Sequence, residues 1–175
     1  MKKLKGVVFV LVGLFTVVTL FSLLMPSKVM TVRSVLVHAD STLILSEVAD
    51  LKNWKRWQPV FANDSNNIVI SEPSDKPNSF ATWSTNSKEN KLLITDINES
   101  QVKFSLIRKS ENVVVNIVSV YSVKESNAVQ VEWRVLTTLK WYPWEKFRGI
   151  FLDKITGPGY EMALNNLKEL TERAN

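Results

Sequence analysis

The side chains able to do chemistry are few, and their scarcity narrows the options. The chain has no cysteine and a single histidine, His38. Thiolate nucleophiles, disulfides, iron-sulfur clusters and cysteine zinc sites are therefore excluded, as are designs that need paired imidazoles, so neither a metal nor a cofactor is expected. His38 stands where a strand-like run meets a helix-like run, a place where a lone imidazole more often makes a structural hydrogen bond than acts as a base. Glu132 alternates with the apolar residues of its segment and is expected in water, paired across a sheet with a lysine. Asp153 and Lys154 are adjacent charges of the kind that serve solubility. No GxSxG elbow, Walker loop, GxGxxG or HExxH occurs, and five glycines leave little with which to cradle a phosphate.

What remains is aromatic. Trp83, Tyr121 and Trp133 fall on alternating segments and, facing inward, would give a pocket apolar walls with polar handles, with Ser119 and Thr137 as lesser hydrogen-bonding groups. These five are the expected cavity lining, although a slip of one residue turns any strand side chain to the other face. Trp54 and Trp57 have two readings, an aromatic lid over a cavity or core packing, and packing is the commoner use of large rings. The run Lys140-Trp141-Tyr142-Pro143-Trp144 gathers three aromatics at a strand-to-helix corner, which is either packed or dips into a membrane interface.

The elements that must position these groups follow from periodicity. The chain has 175 residues, 45% apolar and 22% charged, the composition of one folded domain. Residues 31–37 read as a strand, Asp40 or Ser41 caps a helix carrying Leu43, Ile44, Val48 and Leu51, and a second short helix holds Trp54 and Trp57 until Pro59 stops it. Loops are expected at 63–67 and 72–78. Strict alternation then dominates. Val102, Phe104 and Leu106 share one face, as do Val129, Val131, Trp133, Val135, Thr137 and Leu139. Between them, Val113, Val115, Ile117, Ser119, Tyr121 and Val123 read as one side, while Val114, Val118 and Val120 make the other partly apolar. Short turns such as Glu125-Ser126-Asn127 leave no room for crossover helices, so about seven antiparallel strands are expected. From Pro143 to Arg173 the period becomes helical, with an end or kink at Gly157-Pro158-Gly159 and an apolar stripe of Tyr160, Ala163, Leu164, Leu167 and Leu170. A sheet with one apolar face and a helix with one apolar stripe bury both when the sheet curls around the helix, giving an α+β fold.

Ahead of this domain, residues 6–25 run for 20 positions without a charge. A helix of that length spans the roughly 30 Å hydrocarbon layer of a bilayer. A cleavable signal peptide starts similarly, but no small-residue cut site follows the apolar core, so an uncleaved anchor over 1–26 and a domain over 27–175 are expected. Lys2, Lys3 and Lys5, set against Lys28 and Arg33, place the N-terminus in the cytoplasm and the domain on the outer side. Those three lysines also account for much of the basic charge. Without them 19 basic residues face 17 acidic ones, too little to argue for nucleic acid. A strand starting about five residues after Pro26 allows a tether of only about 17 Å, so the domain is expected against the bilayer surface.

The order of these features carries a resemblance. Asp50 followed by Trp54, Trp57 and Pro59, then Val131-Glu132-Trp133, then Asp153-Lys154, Gly157, Tyr160-Glu161 and the run from Leu164 to Leu170, resembles the SRPBCC or START-like helix-grip superfamily over residues 28–173. Within that group the chain is most similar to membrane-anchored bacterial members of the polyketide cyclase/dehydrase family. The resemblance implies a seven-stranded antiparallel sheet gripping a long C-terminal helix around an apolar cavity, and it implies no single activity. No catalytic residue is carried over. Three functions stay open. The first is a membrane-tethered domain binding an apolar or amphipathic small molecule, lipid included, and the second a cyclase- or dehydrase-type enzyme. The last is an interaction module whose interior is filled.

Overall fold

The computed structural model describes residues 2–63, 67–85, 88–109, 111–123 and 128–174. Helix α1 covers Lys2–Leu23 and strand β1 Lys28–Val37. They are followed by α2 (Ser41–Ala49), a 3-10 turn (Asn53–Arg56) and α3 (Pro59–Ala62). The remaining strands are β2 (Val69–Ile70), β3 (Phe80–Thr85), β4 (Lys88–Ile97), β5 (Gln101–Arg108), β6 (Val114–Val123) and β7 (Ala128–Thr138), and α4 runs from Pro143 to Ala174. All pairings are antiparallel, in the order β1-β7-β6-β5-β4-β3-β2. Since β1 and β2 are opposite edges of one sheet, the chain between them has to cross a whole face. It does so through α2, the 3-10 turn and α3, which lay their apolar sides into the hollow.

Local chemistry explains these boundaries. The Asp40 carboxylate accepts a hydrogen bond from the Thr42 amide at 2.7 Å and caps α2. Pro59 opens α3, because at a first helical position its missing N–H costs nothing; it both ends the turn before it and begins the helix after it. The turn expected at Glu125-Ser126-Asn127, and most of the loop expected at 63–67, lie outside the described residues.

The inner face of the sheet comes from residues of one parity on every strand. Trp133 stands opposite Val118 on β6 and Arg33 on β1, and Phe104 opposite Asn116 and Ile94. Trp54, Trp57, Phe61, Phe104 and Trp133, none more than 2% exposed, fill this hollow. Trp54 meets Trp57, Phe61 and Phe104 at centroid distances of 5.0 Å each. Its indole N–H donates to the Val48 carbonyl at 2.9 Å, so its polar atom is satisfied in the core.

Helix α4 lies along β1 rather than across the middle of the sheet. Ala163, Leu164 and Leu167 are buried against the hollow, and Asn166 donates to the Trp57 carbonyl at 3.0 Å. Close approach depends on two glycines: a Cβ on Gly149 would overlap Leu139, and one on Gly157 would overlap the Arg33 guanidinium. Arg33 uses that space to reach Asp153 through two bonds of 3.1 Å. Asp153 is therefore a tie between helix and sheet instead of a solubilising charge, which corrects the expectation for it. The helix also continues without interruption through Gly157-Pro158-Gly159. Pro158 sits on the exposed side, where the carbonyl it leaves unpaired can meet solvent, so the expected end does not occur there.

Two outcomes test this packing. Replacing Trp54 with alanine empties one of three buried indole sites and should cost about 3–5 kcal/mol, read as a lower midpoint in denaturant unfolding of the full chain in detergent. The Arg33 bonds hold the Asp153 carboxyl below the ordinary carboxylate range. Its stabilisation is thus fully present above the unfolded-state value of about 4 and lost as pH falls through the lower folded-state value. Asp153→Asn should therefore lower the melting temperature at pH 7, and the gap to the native chain should close in acid. An equal gap at every pH would refute the pair's contribution.

Candidate functional site

The space left in the hollow lies at one end of the sheet, because strand polarity changes along the inner face. Ile94, Val102, Val120 and Val131 line the deep end and are buried. Toward the other end the same parity brings Asn90 on β4, Arg108 on β5 and Thr137 on β7, while Asn116 on β6 stands in the middle row with Ile94 and Phe104. There a cleft of about 410 Å³ opens between α4 and the sheet, with Leu106, Val114, Thr137, Leu152, Ile155 and Tyr160 among its walls. A second cleft, about 590 Å³, lies beneath α3 between Val60, Trp83 and Asn90. Arg108 and Glu111 belong to both clefts and form the partition. A larger depression of about 740 Å³ takes Trp83 and Asn90 from the inner face but Thr82, Lys91 and Ile107 from the outer one. It wraps around the β3–β4 edge rather than entering the hollow.

Arg108 is the charged centre of this end. Its Nε donates to Asn90 Oδ1 at 3.1 Å, and Nη1 lies 3.4 Å from Glu111 Oε2. Burial pushes the Tyr160 phenol above its ordinary value, and the Arg108 charge opposes part of that rise. The Tyr160 ring packs on Trp133 at 5.0 Å, and the Trp133 indole donates to Asn116 Oδ1 at 3.1 Å. Two carboxylates, Glu111 and Glu145, line the α4 cleft, each lying 3.4 Å from an arginine, Arg108 or Arg148. Among the described residues no three of His, Cys, Asp and Glu gather as a metal site.

The residues anticipated for a pocket separate into three groups. Thr137 is half-buried in the α4 cleft, and Trp83 borders the cleft under α3. Trp133, Trp54 and Trp57 are core; the Trp57 indole donates to the Glu47 carbonyl at 3.3 Å, and Trp54 and Trp57 line neither cleft, as floor or as lid. Ser119 and Tyr121 lie on the outer face, which corrects their expected direction. Ser119 is opposite Glu132, and Arg134 donates from one nitrogen to Ser119 at 3.2 Å and to the Tyr121 hydroxyl at 2.9 Å. On β6 both parities are apolar, so alternation alone did not decide the face; the register with Trp133 did. Glu132 pairs with Arg134 of its own strand at 2.9 Å, not with a lysine across the sheet. His38 ties the end of β1 to the last turn of α4, its amide donating to Glu172 at 2.9 Å, at the far end of the helix from the cleft. Arg108, Asn90, Asn116 and Tyr160 were not anticipated as a site. The signal was available for Arg108, which is the next step in the Val102, Phe104, Leu106 alternation.

No family model and no curated protein matches the sequence. Solved structures do. A protein of unknown function from Staphylococcus aureus is similar over 84% of this chain and 95% of its own, with 14% identity and a TM-score of 0.65. A Thermobifida fusca protein is similar over 82% of this chain and 93% of its own, with 18% identity and a TM-score of 0.63. The di-domain ARO/CYC protein StfQ of the steffimycin biosynthetic pathway gives a TM-score of 0.65 at 13% identity, over 84% of this chain and 51% of StfQ. At such identities the likeness speaks to architecture. With its seven-stranded antiparallel sheet closed by a long C-terminal helix, the chain has the helix-grip fold of SRPBCC-like proteins.

Proposed function

We propose that the chain is a membrane-tethered binding domain for an amphipathic small molecule held in the cleft between α4 and the open end of the sheet. The observation that carries this reading is the placement of Arg108. A guanidinium stands at the end of a strip made by Leu106, Val114, Leu152 and Tyr160, in a cleft of about 410 Å³. Ligand sites usually have this form, mostly apolar walls with a few polar groups that fix orientation, in volumes of roughly 300–1,000 Å³. The polar end of the ligand, a carboxylate or a similar acceptor, meets Arg108 by exchange for Glu111, and its apolar part lies along α4. The aromatic plug sets a limit. A bulky lipid has no room in the deep half, so the ligand sits at the mouth.

Tethering is supported by α1, whose residues Lys5–Leu23 are long and apolar enough to cross a membrane and almost wholly unburied by the rest of the chain. The lysines before that run favour a cytoplasmic N-terminus and a domain on the outer side. A cyclase-type enzyme is the second reading, supported by the architecture shared with StfQ and by the Tyr160 phenol and two carboxylates bordering one cleft. The engagement of those carboxylates by arginines argues against a free general base and ranks this reading lower.

The full chain in lipid nanodiscs should bind a dansyl-labelled fatty acid, read by energy transfer from tryptophan. Arg108→Leu should weaken that binding roughly ten- to a hundredfold, the worth of about 1.5–3 kcal/mol for a hydrogen bond to a charged group. Ser119→Ala on the outer face should leave it unchanged. Equal affinity in all three proteins would remove the site, and turnover of a cyclisable polyketide by the native chain would favour the enzyme. A reporter fused after Asn175 should be active only outside the cytoplasm, and cytoplasmic activity would reverse the orientation.

A further inference from the structure

Helix α4 has a second apolar face. The first faces the sheet; the other points away from it. Trp144, Phe147, Phe151, Ile155 and Met162 follow one another at steps of three, four, four and seven residues, which keeps them on one stripe of the helix. All are exposed, from 43% at Phe147 to 69% at Ile155, and Trp141 just before the helix is 67% exposed. Tyr142 stacks on Trp144 at 4.5 Å, so the aromatic corner is packed within itself while its two tryptophans stay open. Such a contiguous patch is unusual on a surface that meets only water.

The stripe ends abruptly. Continued at the same spacing it meets Asn165, Glu169 and Arg173, with Arg173 paired to Glu169 at 3.3 Å. The apolar part, about 27 Å long at 1.5 Å per residue, therefore belongs to the half of α4 that begins beside α1. That neighbourhood is fixed by Lys146. Its side chain is buried, and its ammonium donates to the Met25 carbonyl at 3.3 Å and the Ser27 hydroxyl at 2.6 Å. A cation is thereby placed at the C-terminal end of the helix that can cross a membrane, where the helix dipole favours positive charge. Helix α1 also contacts α4 directly.

We propose that this outer face of α4 lies in the interfacial layer of the bilayer that α1 spans, so that the chain meets the membrane twice. The inference rests on the reading of α1 as a spanning helix. Tryptophans at the proximal end, an apolar stripe adjoining the exit of the apolar span, and the switch to charge with distance along α4 match a helix lying flat at a lipid surface. Ile155 links the two sides of the helix, because it belongs to the stripe and also lines the cleft. The cleft thus opens at the lipid surface, and its amphipathic ligand enters sideways from the membrane.

Because the chain has no cysteine, single-cysteine variants of the full chain report one position each. Phe147→Cys, Phe151→Cys and Ile155→Cys, with Val12→Cys inside α1 and Glu169→Cys on the polar continuation, are labelled with a polarity-sensitive fluorophore in phosphatidylcholine vesicles. Labels at 147, 151 and 155 should be blue-shifted and quenched by bromine-bearing acyl chains, as at position 12, whereas the label at 169 should be quenched by aqueous iodide. If position 12 stays in lipid while 147, 151 and 155 are as open to iodide as 169, the second contact is refuted and the anchor survives. Iodide access at position 12 as well would sink both. Shielding of 151 from both quenchers would mean that protein, such as a second copy, covers the face, which also overturns the proposal.

Discussion

The contact on which the arrangement turns is Arg33 reaching from β1 across the space left by Gly157 to the two oxygens of Asp153. A helix bearing side chains at both 149 and 157 would have to ride higher on the sheet by part of a side-chain diameter. Leu164 and Leu167 would then lift from the hollow, and the cleft beside Tyr160 would widen into an open groove. The pair is half-exposed, so its value lies in register more than in energy. It fixes which turn of α4 faces which residue of β1, and hence which face of the helix is left pointing outward.

With the helix fixed, the hollow divides by chemistry. Six of the seven strands lie beside their sequence neighbours in a meander, so similar positions along them fall into rows, and the rows shade from aliphatic to polar. Trp54 and Trp57 arrive from the crossing segment and occupy the aliphatic half, where their rings find edge-to-face partners in Phe104 and Trp133, and Phe61 packs on both Trp54 and Trp83. At the polar half no such ring comes down, and Asn90, Arg108 and Thr137 face the clefts. A fold whose interior is described as a cavity is here mostly core, with its open volume displaced to the rim.

Most of the architecture was legible from alternation and capping. Residues 129–139 read cleanly because one parity is almost purely apolar and the other polar, and Asp40 announced the start of α2. The failures share a cause. On β6 the apolar residues lie on both faces, with Val115 and Ile117 half-buried on the outer side beside Ser119 and Tyr121, and a local pattern cannot tell two half-buried faces apart. Gly157-Pro158-Gly159 reads as a break, yet Gly157 makes room for Arg33 while Pro158 and Gly159 lie on the exposed side of an unbroken helix. Asp153 reads as a surface charge because its partner is 120 residues distant. Arg108 was one step beyond a correctly read alternation, passed over because a cation at a strand end normally signals solvent.

The freedom of α1 relative to the rest of the fold is set by a very short link. A tether of four residues between Leu23 and Lys28 would by itself allow rotation about several bonds. Two groups remove that freedom: the Ser27 carbonyl accepts from the Leu139 amide at 2.8 Å, continuing the β1–β7 ladder to the helix exit, and Lys146 binds Met25 and Ser27 from the side of α4. Helix α1 is thereby joined to the same two elements, β1 and α4, whose packing the Arg33–Asp153 pair fixes. The orientation of α1 and the orientation of α4 on the sheet are one mechanical unit. The exposed apolar face of α4 is thereby held in one fixed orientation to the apolar helix α1, which a loose link would not maintain.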